Sequence, residues 1–191
     1  LAQLMQIVAG AWSMALTIHE KMSRQPDPDV TTPLSPDEIF TITLYSFDLG
    51  HLHPAKENFY FFFNKVALRE KERAVVRAVE PYLAVLHAAM AKLRPRAGRV
   101  FRGISLGSVA EADQLKAQYE IGTQVNWNSL VSTSSDPQVA DAFQKQVAGG
   151  ATGVSFVIEA VCARDISKYS SLPNESELVF VDLPSHFLVV P

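Results

Sequence analysis

Thiol chemistry is almost missing from this chain, which has one cysteine, Cys162, in 191 residues. A single thiol excludes an internal disulfide and a cysteine-based zinc cluster. It is compatible with a reducing compartment. Basic charge is not in excess either: 17 Lys and Arg stand against 20 Asp and Glu, a formal charge of −3. Nothing in that balance points to nucleic acid as a partner. The sequence shows no internal repeat with a period of about 20–50 residues and no low-complexity tract. It also lacks the G-x-G-x-x-G and Walker sequences that cradle phosphates. The remainder is 48% hydrophobic and 19% charged, an ordinary balance for one globular domain with its own core.

Residues 1–18 carry no charge. Gln3, Gln6, Gly10, Ser13 and Thr17 dilute them as a membrane span. Leu4, Ile7, Val8, Ala11, Met14, Ala15, Ile18 and Met22 recur at helical spacing, so a packed helix is expected and membrane contact is not. Four prolines between residues 23 and 37 mark a connector. Ser35-Pro36-Asp37-Glu38 then reads as a capping box with Pro at the first helical position, opening a helix over about 36–46. A further helix is expected from Pro54 to Glu80, ended by Pro81, which starts another carrying Leu83, Leu86, Met90 and Leu93 on one face.

The second half changes period. Residues 99–104, 124–132, 152–160 and two short C-terminal runs read as strands. Ser108 with Glu111, and Asp136-Pro137, open two helices between them. The expected class is α+β: a helical N-terminal half packed on a mostly antiparallel two-sheet β core.

Gly103-Ile104-Ser105-Leu106-Gly107 matches the G-x-S-x-G nucleophile elbow, and Asp182 and His186 follow in the order of a hydrolase triad. The context argues against it, because that fold needs several parallel strands before the nucleophile and residues 1–98 read as helical. Ser105 is expected to be a turn residue. His51 and His53 have no acidic or thiol partner at useful spacing, so they read as a loop before a helix, and no metal is expected.

The segment YSSLPNESELVF, residues 169–180, places Glu175 and Glu177 one residue apart at a strand start. Period two puts Glu175, Glu177 and Val179 on one face, with Leu178 and Phe180 toward a core. Two carboxylates so close repel, and one of them is expected to hold its proton more tightly. Alone, the pair reads as a solvated sheet face. Two further features change that. Arg102 stands inside an apolar strand, where a charge must be paired or face a cleft. Ser132-Thr133-Ser134 ends the next strand region with hydroxyls able to hold a sugar or orient a carboxylate. The arginine suits phosphate, and the carboxylates suit a developing positive charge.

Arginine, Ser-Thr-Ser and Glu-x-Glu in this order resemble the arginine-specific mono-ADP-ribosyltransferases of the cholera-toxin-like clade. FYFFFNKVALRE (59–70), GRVFRG (98–103), WNSLVSTSSDPQVADAF (127–143), ISKYSSLPNESELVF (166–180) and HFLVV (186–190) each resemble a motif of that family. The likeness runs from about residue 38 onward. The pattern of apolar residues and prolines divides off an N-terminal helix (1–24) and a Pro-rich connector (25–35), and the resemblance implies one catalytic domain (36–191). It implies NAD as co-substrate, with no metal. Arg102 would hold the NAD phosphates, and the backbone of Gly103 would meet the nicotinamide amide. Ser132 would hydrogen-bond the nicotinamide ribose or the catalytic carboxylate, within a cofactor-binding set that includes Thr133, Ser134 and Phe143. Glu177 would stabilise the oxocarbenium-like transition state, and Glu175 would engage the acceptor guanidinium. The expected partner is a target protein presenting an arginine to the loop 169–174, and the expected state is a monomer. Such a chain would be a secreted effector or toxin acting in a host cytosol, or an intracellular enzyme. NAD glycohydrolysis, with water as acceptor, and a non-catalytic interaction module on the same fold are the alternatives.

Overall fold

The computed structural model describes residues 2–47, 73–127, 129–144, 152–181 and 185–190. Residues 54–72 of the expected helix from Pro54, with its Asn64-x-x-x-Leu68-Arg69 motif, lie outside these, as do His51, His53 and Asp182. The chain clusters into two compact units, one of residues 1–95 with 164–174, the other of residues 96–163 with 175–191.

The first unit holds three helices, α1 (Ala2–Arg24), α2 (Pro36–Tyr45) and α3 (Arg73–Lys92). Helix α2 starts where its cap chemistry places it. The Ser35 hydroxyl accepts the Glu38 N–H, and the Glu38 carboxylate accepts the Ser35 N–H in return. Ile7 and Ala11 of α1 cluster with Leu44 of α2, against Phe40, Phe47 and Tyr82. The buried row of α1 is Ile7, Ala11 and Ala15, at i, i+4 spacing. Val8 and Met14, placed on the same stripe by periodicity, are exposed instead. No described helix is long and apolar enough to cross a membrane.

Pro81 does not break the third helix but sits inside α3. An internal proline costs about 3 kcal/mol of helix propensity. Leu86, Ala89 and Met90 beyond it are buried, and burial of that size outweighs the penalty. The Pro-rich segment 25–35 is more than a tether. Thr31 N–H donates to the Lys92 carbonyl and Arg94 N–H to that of Asp29, both at 2.8 Å. Asp27 is buried and accepts from Lys168 Nζ and, at 2.9 Å, from the buried Tyr169 hydroxyl. Burial pushes the Asp27 carboxyl up, but these donors together with Lys168's charge hold it below its ordinary value.

The second unit is the β unit. Strands β1 (Pro95–Leu106), β3 (Val131–Ser134), β5 (Glu177–Phe180) and β4 (Thr152–Asp165) follow one another in the order β1–β3–β5–β4 and close into a barrel. Strands β2 (Gln124–Trp127) and β6 (Ser185–Leu188) form a separate antiparallel pair, with Trp127 opposite Ser185. The run 124–132, read as one strand, therefore belongs to two sheets. Helix α4 (Val109–Ala117) follows β1, and α5 (Pro137–Gln144) follows β3. Strand β4 alternates as far as Val161 as its sequence suggests, with Val157 and Val161 exposed and Ala160 buried; Ala163, on the other parity, is also buried, and both alanines join Val100, Val131, Leu178 and Phe180. The class is α+β with antiparallel sheets.

Candidate active site

Register brings the predicted residues together. Strands β3 and β5 pair antiparallel with Ser132 opposite Val179, Thr133 opposite Leu178 and Ser134 opposite Glu177. On the other side of β3, Phe101 of β1 stands opposite Ser134. Arg102, next to Phe101, donates from its guanidinium to the Ser132 carbonyl. The Ser132 side chain hydrogen-bonds Glu177. Arginine, serine and glutamate are thus linked across three neighbouring strands.

Glu177 is not on a solvated face. All four residues of β5 are buried, and Glu177 is 6% exposed. Burial pushes its carboxyl up to about 7; the Ser132 hydrogen bond and Arg102's charge oppose the shift, and the Glu175 charge adds to it. At neutral pH this group is poised between its two protonation states.

Glu175 reaches the site by a different route from the one period two suggests. Strand β5 begins only at Glu177, and Glu175 closes a single 3₁₀ turn, Pro173–Glu175. Between them Ser176 has φ +47°, the left-handed region, which a non-glycine residue enters at a cost. Neighbouring bonds hold it there. The Ser134 hydroxyl donates to the Glu175 carbonyl at 2.6 Å, and Ser135 N–H donates to the Ser176 carbonyl at 3.2 Å.

The rest of the predicted set has structural partners. The Thr133 hydroxyl is buried and donates to the Leu178 carbonyl at 2.8 Å. Ser134 also accepts the Asp136 N–H at 2.9 Å. Their hydroxyls are occupied within the sheet and its following turn. Phe143 is exposed on α5. Ser105 donates to the carbonyls of Phe143 and Gln144, tying β1 to the C-terminal end of α5, where carbonyls lack helical partners. His186 is bound to Asn126 and Gln124. These partners leave the hydrolase reading without a nucleophile–base pair.

Gly103 has a packing reason to be glycine. A Cβ there would come within 1.8 Å of the Ala140 carbonyl oxygen, a main-chain atom of α5. Gly103→Ala must push the helix away from β1, so urea unfolding should show a loss of about 1–3 kcal/mol or more.

Of the loop 169–174, the first part is held in the helical unit. Tyr169 and Ser170 are buried, the Tyr169 carbonyl accepts the Thr43 hydroxyl, and Ser171 makes two hydrogen bonds to Ser46. The exposed tip is Pro173 and Asn174.

Sequence reasoning missed two residues beside Arg102. The Arg102 guanidinium carbon lies 5.7 Å from the centroid of the Trp127 ring. The Trp127 Nε1–H donates to the Tyr119 hydroxyl at 2.7 Å. A tryptophan four residues before a hydroxyl strand was the available signal. An apolar cavity of about 800 Å³ is lined by Trp127, Tyr119, Phe156 and Phe187, but not by Arg102, Ser132 or Glu177. The polar cluster lies outside it.

The fold matches that of solved ADP-ribosyltransferases. The chain is similar in structure to the ADP-ribosyltransferase HopU1 of Pseudomonas syringae pv. Tomato, with TM-score 0.69 and 19% identity over 96% of this chain and 89% of that one. It is also similar to the ADP-ribosyltransferase Vis from Vibrio splendidus in complex with agmatine, at TM-score 0.53 and 16% identity, covering 96% and 78% of the two chains. A third is Exoenzyme S from Pseudomonas aeruginosa, in complex with human 14-3-3 protein beta and bound to carba-NAD, at TM-score 0.57 and 18% identity, covering 95% and 79%. No sequence-family model and no curated protein matches the chain.

Proposed function

We propose that this chain is an NAD-dependent mono-ADP-ribosyltransferase that moves ADP-ribose to an arginine side chain of a target protein. The observation that carries the reading is the buried Glu177, hydrogen-bonded by Ser132 and within electrostatic reach of both Arg102 and Glu175. The donor set fits NAD: a guanidinium for a diphosphate, a hydroxyl and carboxylate for a ribose, and a fixed anion for a sugar cation. The named neighbours act as analogies. One is bound to carba-NAD and one to agmatine, which carries a guanidinium as arginine does.

In the reaction the C–N bond between ribose and nicotinamide breaks, and a bond forms from the ribose carbon to a guanidinium nitrogen. Nicotinamide leaves as a neutral molecule, so acid help is not the difficulty. Positive charge grows at the anomeric carbon, and ionised Glu177 stabilises it. Ser132 holds that carboxylate in place. The acceptor guanidinium is a poor nucleophile because it is always protonated. Glu175 orients it and receives the proton it loses when the new bond forms.

The test is nicotinamide release from NAD, with and without a soluble arginine analogue, for the parent and for Glu177→Gln. Release that needs Glu177, with product on the analogue, supports transfer. Equal release with no product on the analogue makes water the acceptor, and no release from the folded parent overturns the enzyme reading. The pH profile is a second check. Glu177 acts ionised and its carboxyl titrates at about 7 in the free protein. So kcat/KM for nicotinamide release should climb tenfold per pH unit below that value and level off above it.

A further inference from the structure

Phosphate binding in the proposed cleft depends on Arg102, and the structure gives its guanidinium a seat. On one side it donates to the Ser132 carbonyl. On the other lies the Trp127 ring, 5.7 Å from the guanidinium carbon, within the distance at which an indole face attracts a cation. The indole is itself fixed. Its N–H is held by the Tyr119 hydroxyl at 2.7 Å. Its ring meets Phe156 edge-on at 5.3 Å and Phe187 at 4.7 Å. Tyr119 packs on Phe156 at 5.0 Å. Burial pushes the Tyr119 phenol up, and the Trp127 hydrogen bond and Arg102's charge work against that shift.

A free arginine side chain has several rotatable bonds, and ordering them on binding a ligand weakens affinity. An arginine already seated between an indole and a carbonyl loses less freedom when a diphosphate arrives. Trp127 and Tyr119 stand outside the hydrogen-bonded set of Arg102, Ser132 and Glu177, so they are assigned no direct part in the bond that breaks.

We propose that Trp127, held by Tyr119, is a positioning residue that seats the Arg102 guanidinium and thereby sets affinity for the diphosphate of the dinucleotide. This rests on the ADP-ribosyl transfer reading above. It predicts an effect on binding with little effect on turnover. A merely structural aromatic cluster would change melting temperature and leave affinity per folded molecule alone.

The experiment measures ADP-ribose binding by calorimetry and nicotinamide release by steady-state kinetics. In Trp127→Leu, Kd for ADP-ribose and KM for NAD should both rise about tenfold, with kcat within about threefold of the parent. Trp127→Phe keeps a ring beneath the guanidinium and should restore most of the affinity. Tyr119→Phe leaves the aromatic packing intact, frees the indole N–H and should raise Kd about threefold. It carries the test where Trp127→Leu does not fold. In an Arg102→Ala background, Trp127→Leu should weaken ADP-ribose binding no further, because the seat then has no occupant. Parent-like affinity in both Trp127→Leu and Tyr119→Phe would overturn the positioning role alone. So would a loss that persists in the Arg102→Ala background. A parent that neither binds ADP-ribose nor releases nicotinamide overturns the transfer reading and this inference with it.

Discussion

At pH 8 Glu177→Gln should be more stable than the parent while releasing nicotinamide about a thousandfold more slowly. Both effects come from the same buried charge. The Glu177 carboxyl titrates near 7 in the folded chain against an ordinary 4.5, so the folded state binds that proton more tightly than the unfolded state does. The sign follows directly: this group favours the folded state most below about pH 4.5, and its contribution falls as pH rises to about 7. Above that range the ionised carboxylate costs about 3 kcal/mol, the free energy of moving its titration from 4.5 to about 7. Gln carries no charge and still offers an oxygen to Ser132, so most of that cost disappears. The melting-temperature difference should shrink as pH falls toward 4, where the parent carries a neutral acid at the same position. On the activity side, removing one fixed electrostatic partner of a transition state costs about 10²–10³-fold, and a full negative charge belongs at the upper end. Equal melting temperatures at pH 8 would mean that Glu177 is better solvated than its 6% exposure suggests.

That Arg102, Ser132 and Glu177 would meet was readable without coordinates. Arg102 in an apolar strand, Ser132 at a strand end and Glu177 before an apolar run are local features, and the antiparallel register of β3 with β5 joins them. The capping box at Ser35 and the alternation of β4 were readable for the same reason, since each depends on neighbours a few residues away. What was not readable depended on distant contacts. Residues 124–132 look like one strand, yet Trp127 pairs with Ser185 and Val131 with Phe180. Pro81 is a helix breaker by propensity, and buried Leu86 and Met90 override it. The Pro-rich connector hid the buried Asp27, whose partners Lys168 and Tyr169 lie on the far side of the sequence. The pairing of Glu175 with Glu177 was anticipated for the wrong reason. Pleat alternation requires both residues in one strand, whereas the structure uses a 3₁₀ turn and a left-handed Ser176. No periodicity argument reports a single residue with positive φ.

That turn makes Glu175→Gln the most discriminating substitution for the acceptor. Transfer to a soluble arginine analogue should fall by about 10²–10³-fold, the scale on which a positioned acid–base group and orienting contact act. Nicotinamide release into water should fall by no more than a few fold. The difference arises because the two glutamates occupy different supports. Glu177 sits inside β5 with Ser132 and acts on the sugar. Glu175 follows the exposed Pro173–Asn174 tip, half-buried, with its carbonyl tied to Ser134. Loss of its charge also removes one influence that raises the Glu177 carboxyl. The pH midpoint for hydrolysis should therefore move down in Glu175→Gln, while an unconnected surface glutamate would leave it in place. Transfer and hydrolysis falling together, with an unmoved midpoint, would assign Glu175 to holding the turn and leave the acceptor specificity to other residues.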